Sequence, residues 1–181
     1  VGKETIDFSQ GQINKTNDEM HLAINGKGLF RVQKEDGSIV YTRRGGFQRS
    51  LNNEMVTATG GKLLGAGDTP VVLPLTDFSI TGDGSIISGN SVVGTVPIYI
   101  ADDTSGFARS KDGTFVAPED VELRQSEQPE MLQGYLEGSN VNVMEETARM
   151  VYTLRVFEAA QKALTAYDEM DKKLAELGII Q

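Results

Sequence analysis

Two hydrophobic rhythms divide this chain. From His21 to Val116 the apolar residues come in short runs, as in Leu22-Ala-Ile24, Leu29-Phe-Arg-Val32, Ile39-Val-Tyr41-Thr, Phe47-Gln-Arg and Met55-Val-Thr. Asn25-Gly26, Asp36-Gly37, Gly45-Gly46 and Gly60-Gly61 separate these runs, and such dipeptides are turn formers. The segment Val32 to Ile39 around Asp36-Gly37 is the clearest hairpin. A second group follows at Val71-Val-Leu73, Phe78-Ser-Ile80, Ile86-Ile87, Val92 to Ile100 and Thr114-Phe-Val116, with turns at Gly82-Asp-Gly84, Gly89-Asn90 and Asp112-Gly113. So many short strands predict a mainly β fold, an irregular barrel- or sandwich-like body. Residues 1–19 read as an extended polar lead-in, 20–132 as the β body, with the acidic stretch 119–130 as a connection, and 133–181 as a linker and a long helix.

The second rhythm is helical. No Gly or Pro occurs from Val141 to Leu177. Asn142 stands at the N-cap, with Glu145 three residues on at capping-box spacing and Asn140 beside it to orient the helix start. Glu145 and Glu146 occupy the first turn, where the helix dipole favours anions, and Gly178 stands where a C′ residue belongs. A helix from Val143 to Leu177 is roughly 50 Å long at about 1.5 Å rise per residue. Met150, Leu154, Phe157, Ala160, Leu164, Tyr167, Met170, Leu174 and Leu177 recur at intervals of three or four, a narrow stripe close to a coiled-coil seam. Met150, Leu154, Phe157, Leu164, Tyr167 and Leu174 form the candidate assembly seam. No second long helical pattern exists in the chain to cover it, so the seam calls for a partner helix from elsewhere.

Composition narrows the chemistry. With 181 residues, 39% hydrophobic and 24% charged, the chain supports one core plus an appendage, and no apolar run approaches a membrane span. A net charge of −9, without clustered Lys and Arg, argues against nucleic acid. The absence of cysteine excludes disulfides and thiol chemistry and suits export of an unfolded chain. His21 is the one histidine, so a multi-histidine metal site or a histidine dyad is excluded. Gly26-Lys-Gly28 lacks a third glycine and leads into a strand, so a turn explains it better than a phosphate loop. The Asp-Gly pairs lack the alternating ligands of a calcium loop. No catalytic, cofactor or metal residues are expected, and no membrane insertion.

The chain's two ends carry a resemblance. Phe8-Ser-Gln10-Gly11-x-Ile-x-x-Thr16, then Leu22-Ala-Ile24-x-Gly26-x-Gly28-Leu-Phe30 and Tyr41-Thr-Arg43-x-Gly45, together with Gln133-Gly-Tyr-Leu-Glu-Gly-Ser139-Asn140-Val141-Asn142 and Arg155-Val-Phe157-Glu158, resemble the flagellar basal-body rod and hook family, the distal rod type most of all. The family often has a Tyr where this chain has Phe157. The resemblance implies a structural subunit of the bacterial flagellar basal body, non-enzymatic and without cofactors. It implies assembly with copies of itself and with neighbouring rod and hook subunits, after passage through the flagellar export apparatus. It also implies an N-terminal helix that pairs with the C-terminal one, and this chain begins about where that helix would end. A peptidoglycan-cleaving exported enzyme and a β-rich adhesin with a coiled-coil stalk are the competing readings.

Overall fold

Several of the Gly, Asn and Asp positions that interrupt the apolar runs are where the chain reverses, whereas Asn25-Gly26 and Gly45-Gly46 link strands that do not pair with each other. The computed structural model describes residues 6–104, 106–118 and 121–178, except the side chains of Glu176 and Leu177. Val1 to Thr5 of the lead-in, Glu119 at the start of the acidic connection and the Leu177 side chain of the stripe lie outside the described residues. The strands of the first half are β1 (Ile13–Lys15), β2 (Leu22–Ile24), β3 (Phe30–Gln33), β4 (Ile39–Thr42), β5 (Phe47–Arg49), β6 (Met55–Thr57), β7 (Lys62–Leu63) and β8 (Ser79–Ile80). They continue as β9 (Ser85–Ser88), β10 (Ser91–Thr95), β11 (Tyr99–Ala101), β12 (Ala108–Arg109), β13 (Phe115–Val116), β14 (Leu123–Gln125), β15 (Met131–Gln133) and β16 (Tyr135–Glu137). One helix, α1 (Val143–Gly178), follows.

One turn design recurs at residues 34–38, 50–54, 57–61, 81–85 and 110–114. In each, the first and fifth residues bond as in Lys34 N to Ser38 O, 2.9 Å, and the fourth N–H returns to the first carbonyl, as in Gly37 N to Lys34 O, 3.0 Å. The fourth residue is left-handed every time: Gly37, Asn53, Gly60, Gly84 and Gly113 have φ between 61° and 84°. Such three-residue loops match the twist of an antiparallel pair, and the left-handed position selects Gly or Asn. Three of the five carry Asp-Gly-Ser or Asp-Gly-Thr. The Asp36, Asp83 and Asp112 carboxylates accept the N–H two residues on, at 2.9, 3.4 and 3.0 Å, so the Asp-Gly pairs are turn devices.

These hairpins build a seven-stranded antiparallel sheet in the order β12-β13-β4-β3-β7-β6-β5, with Val32 opposite Val40 and Phe30 opposite Thr42. A three-stranded sheet, β10-β9-β8, and the pairs β1–β16, β2–β15 and β11–β14 complete the body. The fold is mainly β with a single α-helix among the described residues, and its sheets do not close into a barrel. The main core joins Leu22, Ile24, Phe30, Phe47, Met55 and Ile86, all at most 1% exposed, to Ile98 and Met131. A smaller aromatic core gathers Tyr41, Tyr99 and Phe107, with Phe8 and Phe115 packed against it.

Three stretches differ from the sequence expectation. The run Val92 to Ile100 is two strands in different sheets, because Pro97 has no N–H for a ladder and breaks the extension. The acidic connection contains β14, which pairs with β11 through backbone groups its polar side chains do not advertise. Polar residues at both ends of the body also pair: Ile13 lies opposite Glu137 and Lys15 opposite Tyr135, so β1 and β16 supply strands where a lead-in and a linker were expected. The chain divides into two compact units, Val1–Asn140 and Val141–Gln181.

Candidate assembly surface

The helix starts as its cap dictates. Asn142 Oδ1 accepts the N–H groups of Met144 at 3.1 Å and Glu145 at 3.4 Å. The Glu145 carboxylate reaches forward to Arg149 at 2.8 Å, and Arg149 also holds Glu146 at 3.2 Å. Thr147, Thr153 and Thr165 turn their hydroxyls onto carbonyls one turn back. Gly178 is the last helical residue rather than the one after it, a one-residue difference of the kind helix ends routinely show. Asn140 does not sit in the cap: its amide donates to Asp7 O, Ser9 O and Ser9 Oγ, each at 3.1 Å.

Every seam side chain is exposed. Met150, Leu154, Phe157, Leu164, Tyr167 and Leu174 lie between 51% and 67% accessible. Val143, Met144, Val151, Tyr152 and Val156 are exposed as well. At about 100° per residue, Tyr152 and Val156 fall roughly opposite Met150 and Leu154, so the first half of α1 is apolar on two sides. Toward its end the stripe narrows and drifts around the helix, as any spacing shorter than 3.6 residues must.

A second constellation lies within the body, where the motifs quoted above converge. Arg43, on the turn after β4, binds the Glu137 carboxylate at 2.7 Å with side chains only 12% and 7% exposed. Its guanidinium also donates to Gly26 O at 2.9 Å, Gly28 O at 3.0 Å and Ile24 O at 3.3 Å. Glu137 in turn accepts Gly11 N–H at 2.8 Å. Gln10 closes the ring, its Oε1 accepting Gly26 N–H at 2.9 Å. The backbones touch here: a Cβ on Gly11 would lie 2.1 Å from Gly138 O, and one on Gly45 would lie 1.5 Å from Leu22 O. Sequence reasoning assigned no role to Arg43 or Glu137. They stand 94 residues apart, and no local spacing signals such a pair. His21 is held by Thr16 Oγ1, 2.9 Å from its Nδ1, and by the Asp18 carboxylate, 3.7 Å from its Nε2, and it is far from the seam residues in sequence.

No described helix is long and apolar enough to cross a membrane. Residues 23–117 match the flagellar hook protein FlgE/F/G D1 domain, and residues 132–177 match the C-terminal region of the flagellar basal body rod FlgEFG proteins. The flagellar basal-body rod protein FlgG of Buchnera aphidicola from Schizaphis graminum is 33% identical over 98% of this chain and 72% of its own length. The rod protein FlgF of Caulobacter vibrioides is 30% identical over 93% of the chain and 69% of its own. FlgF of Salmonella typhimurium is 28% identical over 94% and 73%. The Gly-rich hairpins, the Arg43–Glu137 pair and the long capped helix therefore belong to a member of the flagellar basal-body rod and hook family, a structural family of the bacterial flagellum.

Proposed function

We propose that this chain is a non-enzymatic rod subunit whose helix α1 is its assembly element, packing through Met150, Leu154, Phe157, Leu164, Tyr167 and Leu174 against helices of neighbouring subunits. The observation that carries this reading is the exposure of every one of those side chains on a 36-residue helix. A helix apolar on one stripe needs one neighbour, and one apolar on two sides, as α1 is around Tyr152 and Val156, needs more than one. Copies of the chain and related rod and hook subunits supply those neighbours. Close packing of such helices resists deformation, which suits a shaft that passes torque. The subunit reaches its place through the flagellar export apparatus, for which a cysteine-free chain is suited.

The test is swarming by cells whose only copy carries Leu154→Asp and Leu164→Asp. Each change sets a carboxylate where a knob is to be buried, at a cost above the roughly 2–5 kcal/mol of a lost leucine. Swarming is expected to stop while the protein is still exported. Normal swarming by the double variant would remove the seam from the assembly.

A further inference from the structure

Asn25-Gly26 is the one Asn-Gly dipeptide in the chain. In such a pair the glycine nitrogen attacks the asparagine Cγ readily, because the following residue has no side chain to hinder the approach. The Gly26 N–H proton passes to a solvent base, and Nδ2 leaves as ammonia with a proton from water, which closes a five-membered imide. Water then opens the imide at Cγ to give aspartate, or at the Asn25 main-chain carbonyl to give isoaspartate. The net change is amide plus water to carboxylate plus ammonium. The fold cannot avoid the pair by exchanging the glycine. Gly26 has φ of 103°, where any other side chain is strained, although the space around it is open.

Gln10 holds both reacting groups. Its Oε1 accepts the Gly26 N–H, the nucleophile, at 2.9 Å, and its Nε2 donates to Asn25 Oδ1 at 3.3 Å. The backbone on either side is fixed too: Asn25 N–H donates to Glu130 O at 2.8 Å, and Arg43 donates to Gly26 O at 2.9 Å. With the nitrogen and the neighbouring amide pinned by one side chain, the nitrogen is held off Cγ, and the reaction needs Gln10 to release. Gln10 lies in the extended segment before β1 and is itself exposed, so its release is a local opening that leaves the cores packed. The carbonyls of Ile24, Gly26 and Gly28 cradle Arg43, and isoaspartate lengthens the main chain by one carbon inside that cradle. An opening of Gln10 thus leaves a covalent mark beside the Arg43–Glu137 pair.

We propose that Asn25 is a site of spontaneous modification to aspartate and isoaspartate, and that Gln10 is the gate that keeps it closed. The inference does not depend on the helix seam. The test ages the purified full chain in mildly alkaline buffer and follows the deamidation mass gain and the isoaspartate content of each peptide. Asn90-Ser91, an exposed pair in the turn between β9 and β10, serves as the internal reference. Asn25 in the folded parent should convert at least about tenfold more slowly than in the same chain unfolded in urea. Gln10→Ala and the bulk-retaining Gln10→Leu both remove the bond to Gly26. Each should speed conversion of Asn25 about tenfold, the rise in local opening that a lost hydrogen bond brings, while the body still melts cooperatively and Asn90 keeps its parental rate. Three results would overturn the proposal. The first is Asn25 converting as fast in the folded parent as in urea. The second is both Gln10 variants melting cooperatively yet converting Asn25 at the parental rate. The third is Asn25 and Asn90 accelerating together, which would mean a general loosening and no gate at Gln10.

Discussion

Glu137 and Asp102 both face an arginine at 2.7 Å, yet the two pairs differ in what surrounds them. The Arg124–Asp102 pair is 67% and 75% exposed, and water screens it. Removing it should move stability by less than about 1 kcal/mol. Glu137→Ala leaves Arg43 nearly buried and Gly11 N–H without its acceptor. Breaking a buried pair from one side costs about 3–5 kcal/mol. Urea unfolding of the two variants compares them directly, and equal losses would mean that Arg43–Glu137 does not clamp the ends of the body. The Asp-Gly turns make a second residue-scale forecast. Ser38, through its hydroxyl and then its N–H, holds the Asp36 carboxyl below its ordinary value, and Thr81 and Ser85 do the same for Asp83. Lys34, at 2.7 Å, and then Thr114 hold Asp112 well below. Carboxyls with depressed folded values bind fewer protons folded than unfolded. Their stabilisation is complete above the unfolded value near 3.9 and is lost as pH falls through the folded ones. The unfolding free energy should therefore fall below about pH 5, and a variant with Asn at 36, 83 and 112 should show a shallower fall. An unchanged acid slope in that triple variant would assign acid sensitivity to other carboxyls.

At the scale of elements, short strands and one long helix draw on different sources of order. Strands such as β12 or β13, two residues each, exist because neighbours and turns hold them. Helix α1 bonds within itself, so its pattern is complete in sequence: cap at Asn142, acids in the first turn, threonines bonded back to carbonyls. Its apolar residues contribute little to the chain's own stability while they face water. Leu154→Asp with Leu164→Asp should shift the melting temperature of the purified chain by no more than the roughly 0.5 kcal/mol typical of surface changes. A loss of several degrees would show that the seam is already covered in the free protein.

For the whole molecule, both apolar clusters are built from residues between Ile6 and Met131. The body thus holds the cores, and deletion of residues 143–181 should leave β-type circular dichroism and one cooperative thermal transition. A disordered product would make the helix part of the body's folding unit. The chain's net charge of −9 opposes non-specific association, while the exposed helix stripe offers apolar area for contacts.

Local chemistry let the sequence alone determine the turns at Asp36-Gly37, Gly60-Gly61, Gly84 and Asp112-Gly113, the strands around them, and the helix with its cap. Each depends on backbone preference or a period within a few residues, and each is written in adjacent positions. Asn53 shows the margin of that legibility, since a left-handed Asn does there what Gly does in the other four turns. Tertiary structure decided the rest. Which strands pair, that β1 meets β16, that Pro97 hands the chain from one sheet to another, and that Arg43 finds Glu137 all depend on segments distant in sequence. Such pairings are selected by burial and by satisfying backbone groups in three dimensions, and polar strands such as β1 and β14 carry no hydrophobic period that would announce them.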